Sequence, residues 1–156
     1  MIYKKKPISD DKSAAFNAAL RLLTRREYSV KELLTKLYVR YSKDAAHDAL
    51  KRCQELNYQS DERYADMIVR HYAQSHYGPM KIYFVASQKG VGKNIIEPFM
   101  CDINWQNSAI DALKKKYGKN KLVYDERLKA LSFLQRRGFL KDQCVSALNE
   151  YINLCE

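Results

Sequence analysis

The chain has 156 residues, 46% of them hydrophobic, and its 28 Lys and Arg against 18 Asp and Glu give a formal net charge of +10 at pH 7. Only 5 Gly and 3 Pro occur, which argues against an all-β protein, and no apolar stretch reaches the roughly 20 residues that span a membrane. No apolar signal core follows the first residues, so we expect a cytoplasmic protein, and its charge favours partners that carry phosphate or acidic groups.

Apolar residues recur every three to four positions in the first third of the chain, which predicts three helices. The first runs from Ala15 to Arg26. Ser29 and Glu32 have the spacing of a capping box and predict the start of the second helix. A third is expected from about Lys43 to Leu56, with an inner face formed by Ala46, Ala49, Leu50 and Cys53.

The middle third predicts three more helices. Ser60 is a capping residue at the start of the fourth, where the two acids that follow it complement the helix dipole. Pro79 is suited to the first turn of the fifth, and Gly90 to the left-handed position after its end. A short sixth helix around Ile96 is expected to be bent or shortened by Pro98.

The last third predicts helices seven to nine. The seventh begins near Trp105 and stops near Gly118, and the eighth runs from about Asp125 to Gly138. The final helix holds Val145, Leu148 and Ile152.

Residues at matching positions indicate that the nine helices form three repeats. Tyr41, Val91 and Phe139 are separated by 50 and 48 residues, and the segments 88–91 and 136–139 share a basic residue, Gly and an apolar residue. We therefore predict an all-α fold of three tandem three-helix repeats in an elongated, curved array. The expected boundaries are a basic N-terminal extension at 1–12 and repeats at 13–58, 59–102 and 103–156.

No catalytic or metal-binding pattern stands out in the sequence. The three histidines do not share a helix face with further ligands, and the segment 90–94 lacks the outer Gly and the Ser or Thr of a phosphate loop. The cysteines are not spaced as metal or redox pairs, and the first three fall within apolar helical patterns. We expect buried or incidental thiols at Cys53, Cys101, Cys144 and Cys155. The sequence predicts no enzyme, no metal and no cofactor.

Several segments closely resemble the RecX family. The stretch 18–29 (AALRLLTRREYS) resembles its opening repeat, 56–65 and Gly78-Pro79 its central signature, and 133–139 (FLQRRGF) its last repeat. The resemblance covers roughly 14–150. Asn57 stands where that family usually has Gly.

The resemblance implies three tandem three-helix repeats that bind the filament of the recombinase RecA on single-stranded DNA, most simply as a monomer. Such proteins inhibit filament extension, ATP hydrolysis, strand exchange and the coprotease activity of RecA, and so modulate DNA repair and the SOS response. As a hypothesis, the filament contacts come from basic residues of all three repeats: Arg25, Arg26, Lys36 and Arg40; Arg63, Arg70, Lys81 and Lys89; and Lys129, Arg136 and Arg137. Replacing Arg136 and Arg137 by Ala is then expected to weaken inhibition of RecA with little loss of thermal stability.

Two other classes of function are compatible with the residues alone. An architectural DNA-binding protein would use the same basic helices on bare nucleic acid, with strongly salt-dependent affinity. In this interpretation the run 114–116 (KKK) contacts phosphate, although it is equally typical of a solvated helix end. An enzyme would need a deep polar pocket, which short helical repeats rarely provide.

Overall fold

The computed structural model describes residues 7–156, which contain nine α-helices and one short 3₁₀ helix and no β-strand. The predicted all-α fold is thereby confirmed for this part of the chain, whereas the start of the predicted extension, 1–6, lies outside the described residues. The helices are α1 (Lys12–Leu23), α2 (Val30–Leu37), α3 (Lys43–Glu55), α4 (Asp61–Gln74), α5 (Pro79–Gln88), α6 (Lys93–Ile96), α7 (Trp105–Tyr117), α8 (Tyr124–Arg136) and α9 (Lys141–Leu154), with the 3₁₀ helix Glu97–Phe99 after α6.

The chain divides into two compact units. The first holds the residues up to Ala65 together with Lys89–Val91, and the second holds Asp66–Gln88 and Gly92–Glu156. Within the described residues, every helix is too short or too polar to cross a lipid bilayer.

The core of the first unit is formed by α1, α2 and α3. Small side chains on α1 and α3, such as Ala15, Ala19 and Ala49, are fully buried and let the two helix backbones approach closely. Leu33 and Leu37 of α2 complete this core, together with Cys53 of α3. The predicted inner face of the third helix is confirmed, since Ala46, Ala49, Leu50 and Cys53 are all buried.

The start of α1 differs from the prediction by three residues. The helix begins at Lys12 because the side chain of Asp11 accepts a hydrogen bond from the backbone N–H of Ala14 at 2.9 Å. It ends at Leu23 rather than Arg26. The predicted limits of 15 and 26 are therefore wrong, because the capping role of Asp11 was not recognised.

The start of α2 uses only half of the predicted capping box. Ser29 accepts a hydrogen bond from the Glu32 N–H at 3.1 Å, as expected, but the Glu32 carboxylate turns to basic side chains instead of the Ser29 backbone. A further donor of the first turn is satisfied from a distant position, since the Val30 N–H donates to the carboxylate of Asp61 at 3.0 Å. Asp61 therefore caps α2 as well as lying in the first turn of α4.

The second unit has its own core, in which α7, α8 and α9 meet. Leu113, Leu134 and Tyr151 are buried there, one from each helix. The Tyr151 hydroxyl donates to the carbonyls of Gly118 and Asn120 at 3.2 and 3.1 Å, which fixes the turn after α7. Gly118 has φ +66°, consistent with its predicted position at the helix end.

Two glycine turns are docked against earlier helix starts. Gly90, with φ +73°, lies so close to α2 that an added Cβ would be 2.9 Å from the Cβ of Lys31. In the second unit, Gly138, with φ +95°, lies against the start of α5, and an added Cβ would be 2.5 Å from the Lys81 nitrogen. The segments 88–91 and 136–139, recognised as cognate in the sequence, therefore make equivalent contacts.

The cysteines fall into two groups. Cys53 and Cys144 are buried, and burial raises the pKa of both thiols, which makes them unreactive packing groups. Cys101 is exposed and lies in the turn after the 3₁₀ helix, so its expected position in an apolar helical pattern is wrong. The interruption at Pro98 is the reason, because the chain leaves the α-helix before it reaches this residue.

Candidate functional site

The structure separates the eleven basic residues proposed as contacts into two kinds. Six of them contact groups of the protein itself: Arg26, Arg63, Arg70, Lys81, Lys89 and Arg137. The other five are exposed and line two clefts: Arg25, Lys36, Arg40, Lys129 and Arg136. Exposed cations that line a cleft are better placed to bind an external anion.

The first basic cleft lies between α1 and the end of α2 and has a volume of about 230 Å³. Its cationic groups are Arg21, Arg25, Lys36 and Arg40, and its apolar lining consists of Ala18, Leu22, Leu37 and Tyr41. One wall carries Arg21, on α1, and Arg25, in the turn that follows α1. The other carries Lys36, on α2, and Arg40, in the turn that follows α2.

The charge of the first basic cleft is not neutralised by the described part of the chain. Between residues 7 and 156, none of its four cations forms an ion pair with a carboxylate. Like charges held close together repel each other and lower the stability of the fold. An anionic ligand would relieve this repulsion.

Sequence reasoning missed Arg21 as a member of this cleft. Its position four residues before Arg25 was a usable signal, because residues at that spacing lie on the same side of a helix.

A second basic cleft, of about 530 Å³, lies between the end of α7 and α8. Lys116, Lys129 and Arg136 supply its positive charge, and Glu126 is the one acidic residue in its lining. The ammonium group of Lys116 lies 4.2 Å from the centre of the Phe133 ring, which holds that side chain on α8. Of the run 114–116, the structure places this last lysine at the cleft.

Arg26 and Lys89 are held by one buried carboxylate. Glu32 lies 3.2 Å from the Arg26 guanidinium and 2.8 Å from the Lys89 ammonium, and its side chain is 13% exposed. Burial opposes ionisation of Glu32, but hydrogen bonds from Lys89, Arg26 and Tyr64 outweigh it and lower the pKa of Glu32. These contacts give the two basic residues a structural role.

Arg63, expected to serve in the second repeat, is part of the first unit. Its Nε donates to Glu27 at 2.9 Å and its Nη1 to the Asn57 side chain at 3.0 Å. Asn57 itself adopts φ +58°, a left-handed conformation that Gly adopts most readily. This conformation is consistent with the Gly that is usual here in the family that the sequence resembles. Arg63 therefore links the end of α3 to the segment before α2.

Three of the proposed contact residues make local contacts in the second unit. Arg70 pairs with Asp66 one turn earlier on α4. Lys81 lies 5.9 Å and Arg137 4.0 Å from the ring centre of Tyr77, and Arg137 also donates to the Ser75 carbonyl at 2.9 Å. Replacing Arg137 by Ala therefore removes contacts that stabilise the fold. We now expect nearly intact thermal stability only when Arg136 alone is replaced.

Among residues 7–156, no three His, Cys, Asp or Glu side chains come together as a potential metal site.

The helical architecture and these two clefts define a basic protein made of small three-helix domains, and comparison with known proteins identifies those domains. Residues 15–53 match the family model described as RecX, first three-helix domain, and residues 60–98 match RecX, second three-helix domain.

Relatives match over most of the chain. A protein of Legionella pneumophila (strain Corby), named Regulatory protein RecX, is 40% identical over 132 residues, which are 82% of this chain and 88% of that protein. A protein of the same name from Haemophilus influenzae (strain Rd) is 32% identical over 144 residues, 88% of this chain and 95% of its own length. The chain belongs to the RecX family.

A solved structure shares the fold. The crystal structure of RecX from Lactobacillus salivarius superposes with a TM-score of 0.76 over 92% of this chain and 97% of that chain, at 23% sequence identity. This similarity shows that the two chains share a fold.

Proposed function

We propose that this protein regulates the recombinase RecA by binding its filament on single-stranded DNA. It inhibits filament extension, and with it ATP hydrolysis, strand exchange and the coprotease activity of RecA. In the cytoplasm this inhibition modulates DNA repair and the SOS response.

One observation carries the proposal: the chain is 40% identical over 132 residues to a protein named Regulatory protein RecX. The net charge of +10 agrees with a partner that carries exposed phosphates or acidic side chains. Both basic clefts supply cations suited to such a partner.

Regulation of this kind needs no catalytic group. A protein that binds one conformation of a filament, or only its growing end, shifts the assembly equilibrium by the difference between its affinities for the two states. Exposed basic residues on a rigid helical framework are sufficient for that, because they bind without changing a covalent bond.

The decisive experiment measures ATP hydrolysis by RecA on single-stranded DNA while this protein is added in substoichiometric amounts. We expect a progressive loss of hydrolysis at protein concentrations that leave most of the DNA uncovered. The affinity for bare DNA, measured in the same buffer, is expected to be lower than the affinity for the RecA–DNA filament.

An architectural DNA-binding protein is the second candidate, favoured by the two clefts with exposed cations. It predicts equal or tighter binding to bare DNA and no effect on RecA until the DNA is coated. That result would overturn the regulatory proposal and leave the family membership untouched.

A further inference from the structure

We infer that the first basic cleft is a binding site for the phosphodiester backbone of single-stranded nucleic acid. The site consists of Arg21 and Arg25 on one wall, and Lys36 and Arg40 on the other. The inference rests on the proposed function, which brings this protein into contact with single-stranded DNA.

The chemistry of the cleft fits consecutive phosphates. Three of its four cations are arginines, whose planar guanidinium groups match phosphate oxygens with two parallel hydrogen bonds. Each wall presents two cations four residues apart in the sequence, so two neighbouring charges of one strand can be neutralised on the same wall. Between the walls, the half-buried Leu22 and Tyr41 offer apolar surface to the sugar.

The charge density favours a nucleic-acid strand over an acidic protein surface. Four cations line a cleft of about 230 Å³, and within the described chain no carboxylate pairs with any of them. A strand carries one charge per nucleotide, whereas carboxylates on a protein surface are interspersed with cations and neutral groups. A single strand can also bend into a narrow cleft, which a stiff duplex does only at a cost in bending energy.

The contrast with the other basic residues supports a role in binding. Arg26, Arg63 and Lys89 in the same unit all have carboxylate partners, at 3.2, 2.9 and 2.8 Å. The fold therefore neutralises these three cations but leaves the four of the cleft without a carboxylate partner. Uncompensated like charges lower stability, and such costs are typical of functional sites.

The test measures binding of full-length protein to a fluorescein-labelled oligo-dT by fluorescence anisotropy over a series of salt concentrations. The variant Arg21→Gln/Arg25→Gln removes two cations from one wall of the cleft. If each contacts a phosphate, the slope of log affinity against log salt decreases in magnitude by about 1.4, at about 0.7 per contact on a single strand. Lys36→Gln/Arg40→Gln tests the opposite wall independently.

The matched control is Lys12→Gln/Lys51→Gln, which removes the same charge from the same unit. Both control lysines are exposed and face carboxylates, Asp44 and Glu55, outside the cleft. We expect their salt slope to match that of the unmodified protein. Thermal unfolding followed by circular dichroism shows whether each variant is folded, and all substituted side chains are exposed.

Three results separate the alternatives. Equal slope changes in the cleft variants and the control would overturn the cleft assignment in favour of a diffuse electrostatic effect. Unchanged DNA binding with weakened binding to the RecA filament would assign the cleft to an acidic protein surface and leave the proposed function standing. A slope change confined to the cleft variants, with no inhibition of RecA by the unmodified protein, would support the cleft and reject the proposed function.

Discussion

At the scale of single residues, the partner of each basic side chain decides what that side chain can do. Arg25 and Arg26 are adjacent in sequence, yet Arg25 lines the first basic cleft while Arg26 pairs with Glu32 and covers the Tyr28 ring at 3.7 Å. Arg136 and Arg137 differ in the same way, since only Arg136 lines the second basic cleft. Neighbouring arginines therefore have different surroundings, since one lines a cleft and the other contacts groups of the protein itself.

Glu32 gives a prediction about pH and stability. Its folded-state pKa is lowered, so its stabilising contribution is fully present above its ordinary value of 4.5 and is lost as the pH falls through the folded-state value. We expect Glu32→Gln to lower the free energy of unfolding at pH 7 by about 1–3 kcal/mol, the range for hydrogen bonds to charged groups. Urea unfolding from pH 7 down to pH 3 should show this difference shrinking.

A suitable control is Glu55→Gln, whose carboxylate is 62% exposed and 3.9 Å from the Lys51 ammonium. An exposed pair of this kind contributes little, about 0.5 kcal/mol or less. A difference between the Glu32 variant and the unmodified protein that stays constant down to pH 3 would show that the carboxylate is not the stabilising group.

At the scale of helices and turns, the same turn is docked in the same way in two repeats. Ser29 donates from its hydroxyl to the Lys89 carbonyl at 2.7 Å, which ties the turn at Gly90 to the start of α2. The Gly78 N–H donates to the Arg137 carbonyl at 2.8 Å, and this bond ties the turn at Gly138 to the start of α5. At Gly78 and Gly138 the contact brings two backbones together, whereas the atoms nearest to Gly90 belong to the Lys31 side chain. In both places an added Cβ would come within 3 Å of a neighbouring atom.

This close approach predicts that Gly78→Ala is strongly destabilising. An added Cβ would lie 2.3 Å from the Gly138 carbonyl carbon and from the Phe139 nitrogen, both of them backbone atoms that cannot rotate away. We expect a loss of about 3 kcal/mol or more, at the upper end of the range for overpacking. Thermal or urea unfolding measures it directly.

Gly92→Ala is the matched control for that substitution. Its φ of −70° suits any residue, and the nearest atom to an added Cβ is the Asn94 side-chain oxygen, which can move. Its expected cost is about 1 kcal/mol, because Gly is preferred to Ala at a helix N-cap. Equal losses in the two variants would contradict the docking of Gly78 on the turn at 137–139.

At the scale of the whole molecule, positive charge is distributed over both compact units. Each unit has its own basic cleft, so contacts to an anionic partner can be made from two places along the chain. A net charge of +10 also raises the rate of encounter with such a partner, and this effect weakens as salt screens the field.

We therefore expect inhibition of RecA to depend strongly on salt. Between about 50 and 200 mM salt, the concentration of this protein that halves ATP hydrolysis should rise about ten-fold or more, since each neutralised phosphate releases counterions. Hydrolysis by RecA alone, measured at each salt concentration, provides the reference. Salt-independent inhibition would instead assign binding to exposed apolar side chains such as Tyr124, which is 73% exposed.

Sequence patterns alone determined the helices and the family. Apolar spacing and capping residues predicted nine helices because local periodicity and turn chemistry are properties of short segments, and the resemblance to RecX proteins depended on short motifs in a constant order. The predicted start of α1 was wrong because Asp11 caps that helix. The predicted position of Cys101 was wrong because the chain leaves the α-helix at Pro98.

Only the tertiary structure decided which basic residues line a cleft and which contact other groups of the protein. Arg26, Lys89 and Arg137 look like surface cations in the sequence. In the structure, Glu32 pairs with both Arg26 and the distant Lys89, and Arg137 donates to the carbonyl of the distant Ser75. Conversely, Arg21 joins Lys36 and Arg40 only because α1 and α2 meet at one cleft. Ion pairing and cleft formation depend on distances between segments remote in sequence, and helical periodicity carries no information about those distances.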